Sequence, residues 1–380
     1  MADREWTVEL APGVSAFTAD EWDAMAGTAN PFVKHGFLSA LEDSGSVGPG
    51  TGWQAAPLLL EDADDTLLAA LPSYLKGHSQ GEYVFDHAWA DAYERAGGDY
   101  YPKLQIAAPF TPATGPRLLL SDKKYAAPLL QAAEQLLAQN GWSGAHATFV
   151  EEDQIALFEQ AGWLRRSDIQ FHWSNRDFTS FEDFLATLTS RKRKDLRKER
   201  RLANDGVRIE ALSGEDIRAE HWDAFWLFYQ DTGARKWGTP YLTREAFDLF
   251  GERLAEKLVL LLAFEADLPI AGALNFVGAD ALYGRYWGCL SDKPFLHFEL
   301  CYYRAIDVAI ERGLKRVEAG AQGGHKLARG YEPVTTTSMH WMTDPGFRSA
   351  VSEFLDAERR GVAMDRMHLS KHMPFRRHGS

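Results

Sequence analysis

The chain has few of the features that mark secreted, membrane-spanning or disulfide-bonded proteins. Only two of its 380 residues are cysteines, Cys289 and Cys301, and they form no C-x-x-C pair. So few thiols exclude a disulfide framework and fit a reducing compartment, and we therefore expect a cytoplasmic protein. The longest apolar run, Leu258 to Phe264, has seven residues. This is too short to cross a bilayer, and no apolar segment near the start resembles an export signal.

Several catalytic and metal-binding motifs are also missing. The sequence contains no H-E-x-x-H, no cysteine cluster, no G-x-S-x-G and no P-loop. His368 and His372 lie four residues apart in a basic tail without nearby acids. We therefore expect no metal cofactor.

Positive charge is scarce except in one segment. The formal charge is −13 at pH 7, which argues against general affinity for nucleic acid or an anionic membrane. Residues 191–201 are the exception, with eight basic and two acidic side chains, and a helix beginning after Ser180 leads into them. One interpretation is a solvated helix face on which Asp195 and Glu199 pair with helix neighbours. The other is a docking surface for phosphate or RNA.

The length predicts two domains, because 380 residues exceed what one hydrophobic core usually serves. We place them at residues 1–176 and 177–380. The first domain carries an aromatic, proline-punctuated segment at about 86–115. The second carries the basic helix and a long C-terminal helix.

An internal repeat supports this division. Gly162-Trp163 is followed, ten residues after the glycine, by His172-Trp173, and Gly330-Tyr331 is followed at the same spacing by His340-Trp341. Two predicted hairpins also correspond, and their separation in sequence is 34 residues larger than the separation between the two glycine-aromatic pairs. The difference is about the length of the 86–115 segment, which therefore reads as an insertion into one copy of a duplicated module.

The order of elements in each copy is hairpin, strand, helix, strand, glycine-aromatic pair and strand. Such a module is an α+β sandwich with a mixed sheet between helices, and it resembles the GNAT acyltransferase fold. Two such units in tandem are similar to the FemAB peptidoglycan aminoacyltransferases. The segment Gln154–Trp163 resembles the late helix of the GNAT fold, which ends in a glycine-aromatic pair. The segments that carry the closer resemblance, to a FemAB-like family, are Asn30–Ser46, Gly81–Asp86, Tyr101–Leu104, Pro109–Pro112, Leu282–Gly288, Leu296–Glu299 and Ala319–Gln322.

The resemblance implies transfer of an acyl or aminoacyl group to a primary amine of a small molecule, a peptide or a peptidoglycan-precursor-like acceptor. The donor would be acyl-CoA or aminoacyl-tRNA. The GNAT pyrophosphate signature does not appear cleanly in either half, which weakens the case for acyl-CoA as the donor. The basic segment favours tRNA as the donor. The acidic charge of the remaining chain argues against a large RNA-binding surface. A non-catalytic protein that binds a peptide or a peptidoglycan precursor is the alternative.

The richest candidate site is the stretch from Leu274 to Tyr331, in which glycines interleave with titratable side chains. His325 is the leading general base, because two preceding glycines leave it accessible. Tyr331 and Tyr283 are candidates for the acid. Glu318 could orient or deprotonate the amine, and a structural ion pair is the alternative for it. In GNAT-like enzymes neighbouring strands splay apart at the reacting carbonyl, and we expect such a gap beside residues 282–288.

Further residues are assigned by type and position. The candidates for substrate binding are Arg285, Trp287, His297, Glu299, Gln322, Lys326, Arg329, Asp86, Tyr101 and Lys103. The candidates for binding the donor's phosphates are Gly323, Gly324, Arg193 and Arg197. The family pattern has an acid where this chain has Gly324, so any acid-base role at that position is absent here.

Overall fold

The computed structural model describes residues 6–236, 240–320 and 323–376, with no side-chain description for 234–236. The strands, in chain order, are β1 (Trp6–Leu10), β2 (Trp53–Ala55), β3 (Leu58–Asp62), β4 (Leu67–Leu71), β5 (Ser73–Lys76), β6 (Lys103–Ile106), β7 (Leu119–Leu120), β8 (Gly144–Ala147), β9 (Leu164–Ser174), β10 (Arg208–Leu212), β11 (Leu258–Glu265), β12 (Leu268–Val277), β13 (Ala281–Cys289), β14 (Arg316–Glu318) and β15 (Glu332–Met342).

The described residues also form α-helices, numbered in chain order. They are α1 (Ala19–Ala26), α2 (His35–Asp43), α3 (His87–Arg95), α4 (Ala126–Asn140), α5 (Glu152–Gln160), α6 (Phe181–Thr187), α7 (Ser190–Ala203), α8 (Ala219–Lys236), α9 (Arg244–Leu254), α10 (Leu296–Phe298), α11 (Arg304–Glu311) and α12 (Pro345–Lys371). A π-helical turn at Glu299–Tyr303 connects α10 to α11.

The chain forms two compact units that are not contiguous in sequence. Unit 1 contains Met1–Asp168 and Thr335–Met364, and unit 2 contains Ile169–Val334 and Asp365–Ser380. The sequence-based boundary after residue 176 differs from this division, because residues 335–364 follow the second half in sequence but pack in unit 1. The strands β9 and β15 each have residues in both units.

The described residues of unit 1 form two sheets. One has the strand order β1-β3-β4-β7, and the other runs from the end of β15 through β8, β6 and β5 to β2. Strands β6 and β8 are parallel, whereas β5 pairs antiparallel to β6. Apolar side chains of α4, including Leu129, Leu130 and Leu137, pack in the same core as Met339 of β15. Burial of this apolar face holds α4 against the sheet.

The described residues of unit 2 form a mixed sheet with the order β10-β11-β12-β13-β14 and then the end of β9. Strands β13 and β14 are parallel, and the other pairs are antiparallel. Helices α6 and α11 contribute Phe184, Leu185 and Ile306 to a core that also includes Leu282 and Val317 of the sheet. The parallel pair requires a helical crossover, which α10, the π-helical turn and α11 provide.

The predicted helix after Ser180 is divided in two. The Ser180 hydroxyl accepts a hydrogen bond from the Asp183 amide and caps α6, as the sequence predicts. Leu188 and Thr189 are extended and separate α6 from the basic helix α7. The chain's own C-terminal segment pairs with this break, since the Thr189 amide donates to Pro374 O at 3.0 Å and the Arg376 amide donates to Thr187 O at 2.8 Å.

Candidate active site

Two neighbouring strands of unit 2 part within the sheet. Parallel pairing of β13 with β14 covers residues 281–283 of β13 and 316–318 of β14. Strand β13 continues to Cys289, whereas β14 ends at Glu318. Among the described strands, the pairing on this side of β13 therefore ends at Tyr283, and a gap opens from Gly284 onward. The gap lies beside residues 282–288, where the sequence predicts one.

The opposite side of β13 carries a β-bulge at the same level. Leu274 of β12 lies opposite Tyr286, whereas the next residue, Asn275, lies opposite Gly284. Arg285 is therefore the extra residue. A bulge interrupts the regular ladder and re-aims the backbone, so β13 is irregular on both sides at the start of the gap.

A cavity of about 150 Å³ lies at the gap. Its walls come from β12, β13, the residues that follow β14, and the helical crossover. The described residues that line it are Ala273, Leu274, Asn275, Gly284, Arg285, Tyr286, Trp287, His297, Cys301, Tyr302, Ala319 and Gly320. These include one guanidinium and no carboxylate. The π-helical turn supplies Cys301 and Tyr302, and π-helical turns of this kind recur at functional sites.

Three of the predicted substrate-binding residues line this cavity, namely Arg285, Trp287 and His297. The rings of Trp287 and His297 meet edge to face, with their centroids 5.1 Å apart. The Arg285 guanidinium lies 5.1 Å from the centroid of the Tyr286 ring. The sequence therefore identified one wall of the cavity.

The predicted base His325 is exposed and bonded to a residue of the cavity wall. Its Nε2 atom lies 2.8 Å from the hydroxyl of Tyr302. Burial raises the pKa of Tyr302 above its ordinary value, so this phenol stays protonated at neutral pH. Tyr331, a predicted acid, is fully buried and donates to the Tyr302 carbonyl at 3.3 Å. Tyr302 itself is not among the residues predicted from the sequence.

Lys326 is buried beside the segment that follows β14. Its ammonium donates a hydrogen bond of 2.8 Å to the Gly320 carbonyl, and burial lowers the pKa of Lys326 to about 8. Gly323 has φ +130°, and a Cβ there would lie 2.8 Å from the His325 ring, so the turn needs glycine. A Cβ at Gly324 would meet no described atom within 4 Å. Gln322 lies outside the described residues.

Glu318 and Tyr283 lie on adjacent strands and share a partly exposed arginine, Arg316. The Glu318 carboxylate accepts from Arg316 Nε at 2.9 Å and lies 3.8 Å from His172 Nε2. The Tyr283 hydroxyl is 3.4 Å from Arg316 Nη2, and burial raises the pKa of this tyrosine. Side chains alternate across a strand, so Glu318 faces the side opposite Val317. These two candidates thus belong to an ion-pair cluster.

Two other predicted residues connect α7 to the helical crossover. Arg329 donates to the Glu199 carboxylate at 2.9 Å, and its guanidinium lies 3.4 Å from the centre of the Phe298 ring. Glu299 is fully buried and accepts from Arg200 at 2.9 Å. The Glu299 pair holds α7 against the π-helical turn, and the Arg329 pair holds it against the short helical turn Gly324–Arg329. Glu199 thereby has a partner outside its own helix.

The predicted phosphate-binding arginines lie on α7. Arg197 is exposed and pairs with Glu182 of α6. Arg193 lies in the first turn of α7, where its Nη2 is 3.5 Å from the Ser190 hydroxyl. The first turn of α7 contains no acidic residue, so its basic side chains stand at the positive end of the helix dipole.

Of the three candidates of the first half, Asp86 and Lys103 are buried within unit 1 and Tyr101 is partly exposed. Lys103 donates to Glu82 at 2.7 Å, to Asp86 at 2.5 Å and to the Ser79 hydroxyl at 2.8 Å. Tyr101 also bonds Ser79, at 2.8 Å. Burial favours the neutral form of Asp86, but the Lys103 ammonium holds the pKa of that carboxyl well below its usual range. The polar groups of this cluster therefore form most of their hydrogen bonds and ion pairs with one another.

The place in unit 1 that corresponds to the gap is occupied by the chain itself. After the parallel pairing of β6 with β8, Gly115 continues it by bridging Val150. The buried Arg117 guanidinium then donates to Thr148 O at 2.7 Å and to Ala113 O at 2.9 Å. Only the unit 2 copy therefore keeps an open gap at this position within the described chain.

The described residues provide neither a metal-binding cluster nor a membrane-spanning helix. No group of three or more histidine, cysteine, aspartate or glutamate side chains among them could hold a metal ion. None of the helices in residues 6–236, 240–320 and 323–376 is both long and apolar enough to cross a membrane.

Two units with mixed sheets and flanking helices, one with a gap between parallel strands, define an α+β protein of two tandem GNAT-like modules. This confirms the fold that the sequence predicts. The chain belongs to the FemAB-like family, described as peptidoglycan biosynthesis/recognition, whose pattern matches residues 13–377. The predicted family is thereby also confirmed.

Solved structures with this fold share little sequence with the chain. A crystal structure of FemX is 12% identical, with a TM-score of 0.53, and the match covers 86% of this chain and 96% of that one. The L-PGS from Bacillus licheniformis is 10% identical, with a TM-score of 0.50 over 92% and 99%. The C-terminal domain of a putative lysylphosphatidylglycerol synthetase from Agrobacterium fabrum is 9% identical, with a TM-score of 0.52 over 89% and 95%. No curated protein sequence matches the chain.

Proposed function

We propose that this protein is a transferase that moves an acyl or aminoacyl group from a carrier to a primary amine, and that transfer takes place at the gap beside β13. The observation that carries the proposal is the end of the β13–β14 pairing opposite a bulge, next to a cavity. Membership of a family described as peptidoglycan biosynthesis/recognition supports an acceptor that resembles a peptidoglycan precursor.

The gap provides what acyl transfer to an amine requires. Backbone groups of β13 that point away from β12 have no strand partner on β14 beyond Tyr283, so their N–H groups can donate to a carbonyl oxygen on which negative charge develops. The described lining contains a guanidinium and no carboxylate. Such surroundings favour the neutral, nucleophilic form of an amine.

The hydrogen-bonded pair Tyr302 and His325 provides a route for the proton. In the proposed step the amine nitrogen forms a bond to the carbonyl carbon, and the C–S or C–O bond to the carrier breaks. One amine proton passes through the Tyr302 hydroxyl to His325, which releases it to solvent, and the leaving thiolate or ribose oxygen takes up one proton from solvent. Transfer through a positioned hydroxyl and imidazole is general acid-base catalysis.

Both acyl-CoA and aminoacyl-tRNA remain donors in this proposal. Helix α7 supports tRNA, because it exposes basic side chains that neither Glu299 nor Glu199 holds, among them Arg191, Lys194 and Lys198. Mass spectrometry of protein purified under native conditions tests CoA directly. Bound CoA or acyl-CoA would identify the nucleotide donor.

The tRNA donor is tested by replacing Arg191, Lys194 and Lys198 with glutamine. We expect weaker binding of tRNA and a shallower salt dependence. The slope of log K against log salt should fall by about 0.7–0.9 for each phosphate that the variant no longer neutralises. The matched control replaces the exposed basic residues Arg360, Arg366 and Lys371 of α12. Equal binding of tRNA by both triple variants would exclude α7 as its docking surface.

A non-catalytic binding protein is the second candidate. It is favoured by the pairing of Glu318 with Arg316, by the burial of Tyr331, and by Gly324 at the position where the family pattern has an acid. Turnover assays with both donor classes separate the two functions. Binding of a peptidoglycan precursor without transfer from either donor would support the binding protein.

A further inference from the structure

Asn275 is a polar side chain within an apolar, buried strand. Its Nδ2 group donates to Val259 O at 3.2 Å and to Ala273 O at 3.3 Å, and the residue is 1% exposed. Its Oδ1 atom is buried and has no hydrogen-bond partner within the part of the chain that the structure describes. One half of the amide is therefore used by the fold, and the other half is not.

The orientation of this amide is determined by its neighbours. Rotating the group by 180° would place Oδ1 against the Val259 and Ala273 carbonyls, so that acceptors would face each other without a donor. The unpaired atom is therefore the oxygen. It is an acceptor that needs an N–H or O–H group.

The position of Oδ1 relates it to the gap. Asn275 lies opposite Gly284, the first residue of β13 beyond the last pair with β14. A Cβ placed on Gly284 would lie 3.4 Å from Oδ1, 3.6 Å from Glu318 O and 3.7 Å from Ala319 Cα. The space in front of Oδ1 is therefore the closed end of the gap, and Asn275 lines the cavity there.

We propose that Asn275 is a substrate-binding residue whose Oδ1 accepts a hydrogen bond from an amide or amine N–H group of the substrate that enters the gap. This inference rests on the proposed function. A buried acceptor without a partner is unfavourable in the free protein, and a ligand N–H would remove that cost on binding.

The assignment predicts a selectivity. A group that offers only acceptors at this point, such as a carboxylate or an ester oxygen, would place lone pairs against Oδ1 and be rejected. Two kinds of donor substrate carry a suitable N–H near the reactive carbonyl. These are the amide of a pantetheine arm and the α-amino group of an aminoacyl ester.

The test compares probes that differ only in this N–H. One pair is S-acetylpantetheine and its analogue with N-methylated amides. The other is 3′-alanylamino-3′-deoxyadenosine and its N,N,N-trimethylalanyl analogue, whose quaternary nitrogen keeps the positive charge but has no N–H. Kd is measured by calorimetry for the full chain and for Asn275→Leu. In the wild type we expect at least one N–H probe to bind about five- to a hundredfold more tightly than its methylated partner, and in Asn275→Leu we expect this ratio to fall to about one.

Two further variants separate binding from folding. Asn175 uses both halves of its amide within unit 2, since its Nδ2 donates to Leu314 O at 3.0 Å and its Oδ1 accepts from the Phe178 amide at 2.9 Å. Asn175→Ala should therefore lower stability without changing the probe ratio. Gly284→Ala places a methyl group in front of Oδ1 and should weaken every probe that the wild type binds.

The outcomes distinguish this inference from the proposed function. If the wild type binds both members of a pair equally, the role of Asn275 is wrong and the gap remains the proposed site. If it binds no probe of either pair, the proposed function fails together with the inference. The pair with the larger ratio identifies which kind of donor supplies the N–H.

Discussion

Tyr302 lines the cavity, whereas His325, its hydrogen-bond partner, is exposed. A proton that leaves an amine in the gap can therefore reach solvent through two side chains. Glu318 has a different position, since it is paired with Arg316 on the other side of β14 from Val317. At the scale of single residues, the Tyr302–His325 pair is better placed for proton transfer than Glu318.

Removing either member of this pair should slow the reaction. We expect His325→Ala and Tyr302→Phe each to lower kcat by about a hundredfold or more, with little change in KM, because each substitution interrupts the same proton route. The double variant should be no slower than the slower single variant. His87→Ala, an exposed histidine in unit 1, serves as the control. An unchanged kcat in His325→Ala would contradict this route.

Lys326 should make stability depend on pH. Its pKa of about 8 in the folded protein is below the ordinary value of 10.5. Between these values the unfolded chain binds more protons, so the contribution of Lys326 to stability rises with pH from about 8 to 10.5. Relative to Lys326→Met, the wild type should therefore gain stability in urea unfolding as the pH increases from 8 to 10. If the difference between wild type and Lys326→Met is constant with pH, folding does not lower the pKa of Lys326.

Some residues of the site could be predicted from the sequence and others could not. The cluster of glycines and titratable groups pointed to Arg285, His297 and His325. Tyr302 was missed because its spacing is that of an ordinary buried helix face, and the π-helical turn that directs it to the cavity has no clear sequence signal. Asn275 did carry a signal, since an amide inside an apolar strand needs a partner.

At the scale of elements, replacing a glycine of β13 should affect stability differently from replacing a glycine on a helix surface. A Cβ on Gly288 would lie 2.1 Å from the backbone oxygen of Phe228 in α8, so this strand and helix touch through their backbones. Gly288→Ala should lower the free energy of unfolding by about 1–3 kcal/mol or more. Gly361→Ala, in the middle of α12 with no atom within 4 Å of the added carbon, should raise it by about 0.5–1 kcal/mol. Urea unfolding of both variants checks the two signs, and equal effects would contradict the close packing of α8.

The repeat in the sequence predicted two elements well and concealed a third. The two glycine-aromatic pairs precede β9 and β15, which are both 11 residues long, as the matched spacing predicts. The segment read as an insertion contains β6, which pairs with β5 and β8. Its sequence, Lys-Leu-Gln-Ile, looks half exposed, but Lys103 and Gln105 are fully buried. Their burial depends on partners far along the chain, which periodicity does not reveal.

At the scale of the whole molecule, each unit is built from two separate segments of the chain. This limits where the chain can be cut into fragments that fold independently. Unit 1 includes the buried side chains Met339, Met342, Val351 and Leu355, which a fragment of residues 1–176 lacks. Each contributes about 1.5–3 kcal/mol by burial, and together they match a large part of the roughly 5–15 kcal/mol that stabilises a domain. We therefore expect the fragment 1–176 to show no cooperative thermal unfolding by circular dichroism. A sharp transition would instead support independent folding at the sequence-based boundary.

Unit 2 likewise depends on a segment from the C-terminal end of the described residues. Residues 365–376 pair with the break between α6 and α7, through Pro374, Phe375 and Arg376. A chain that ends at Met364 should therefore lose protection against hydrogen exchange around Leu188 and Thr189. The same chain should keep protection in β8, whose partner strand it retains. Equal protection in both regions would contradict the role of the C-terminal segment.

The placement of residues 335–364 in unit 1 also affects how the protein folds during synthesis. The ribosome makes about 5–20 residues per second, so roughly ten to forty seconds pass between the emergence of Asp168 and that of Leu355. During this interval the nascent first unit lacks the edge partner of β8 and the helix that covers Trp89 and Tyr100. Unit 2 can complete its own sheet earlier. The N-terminal half of this chain is therefore the part that most needs chaperones while it is translated.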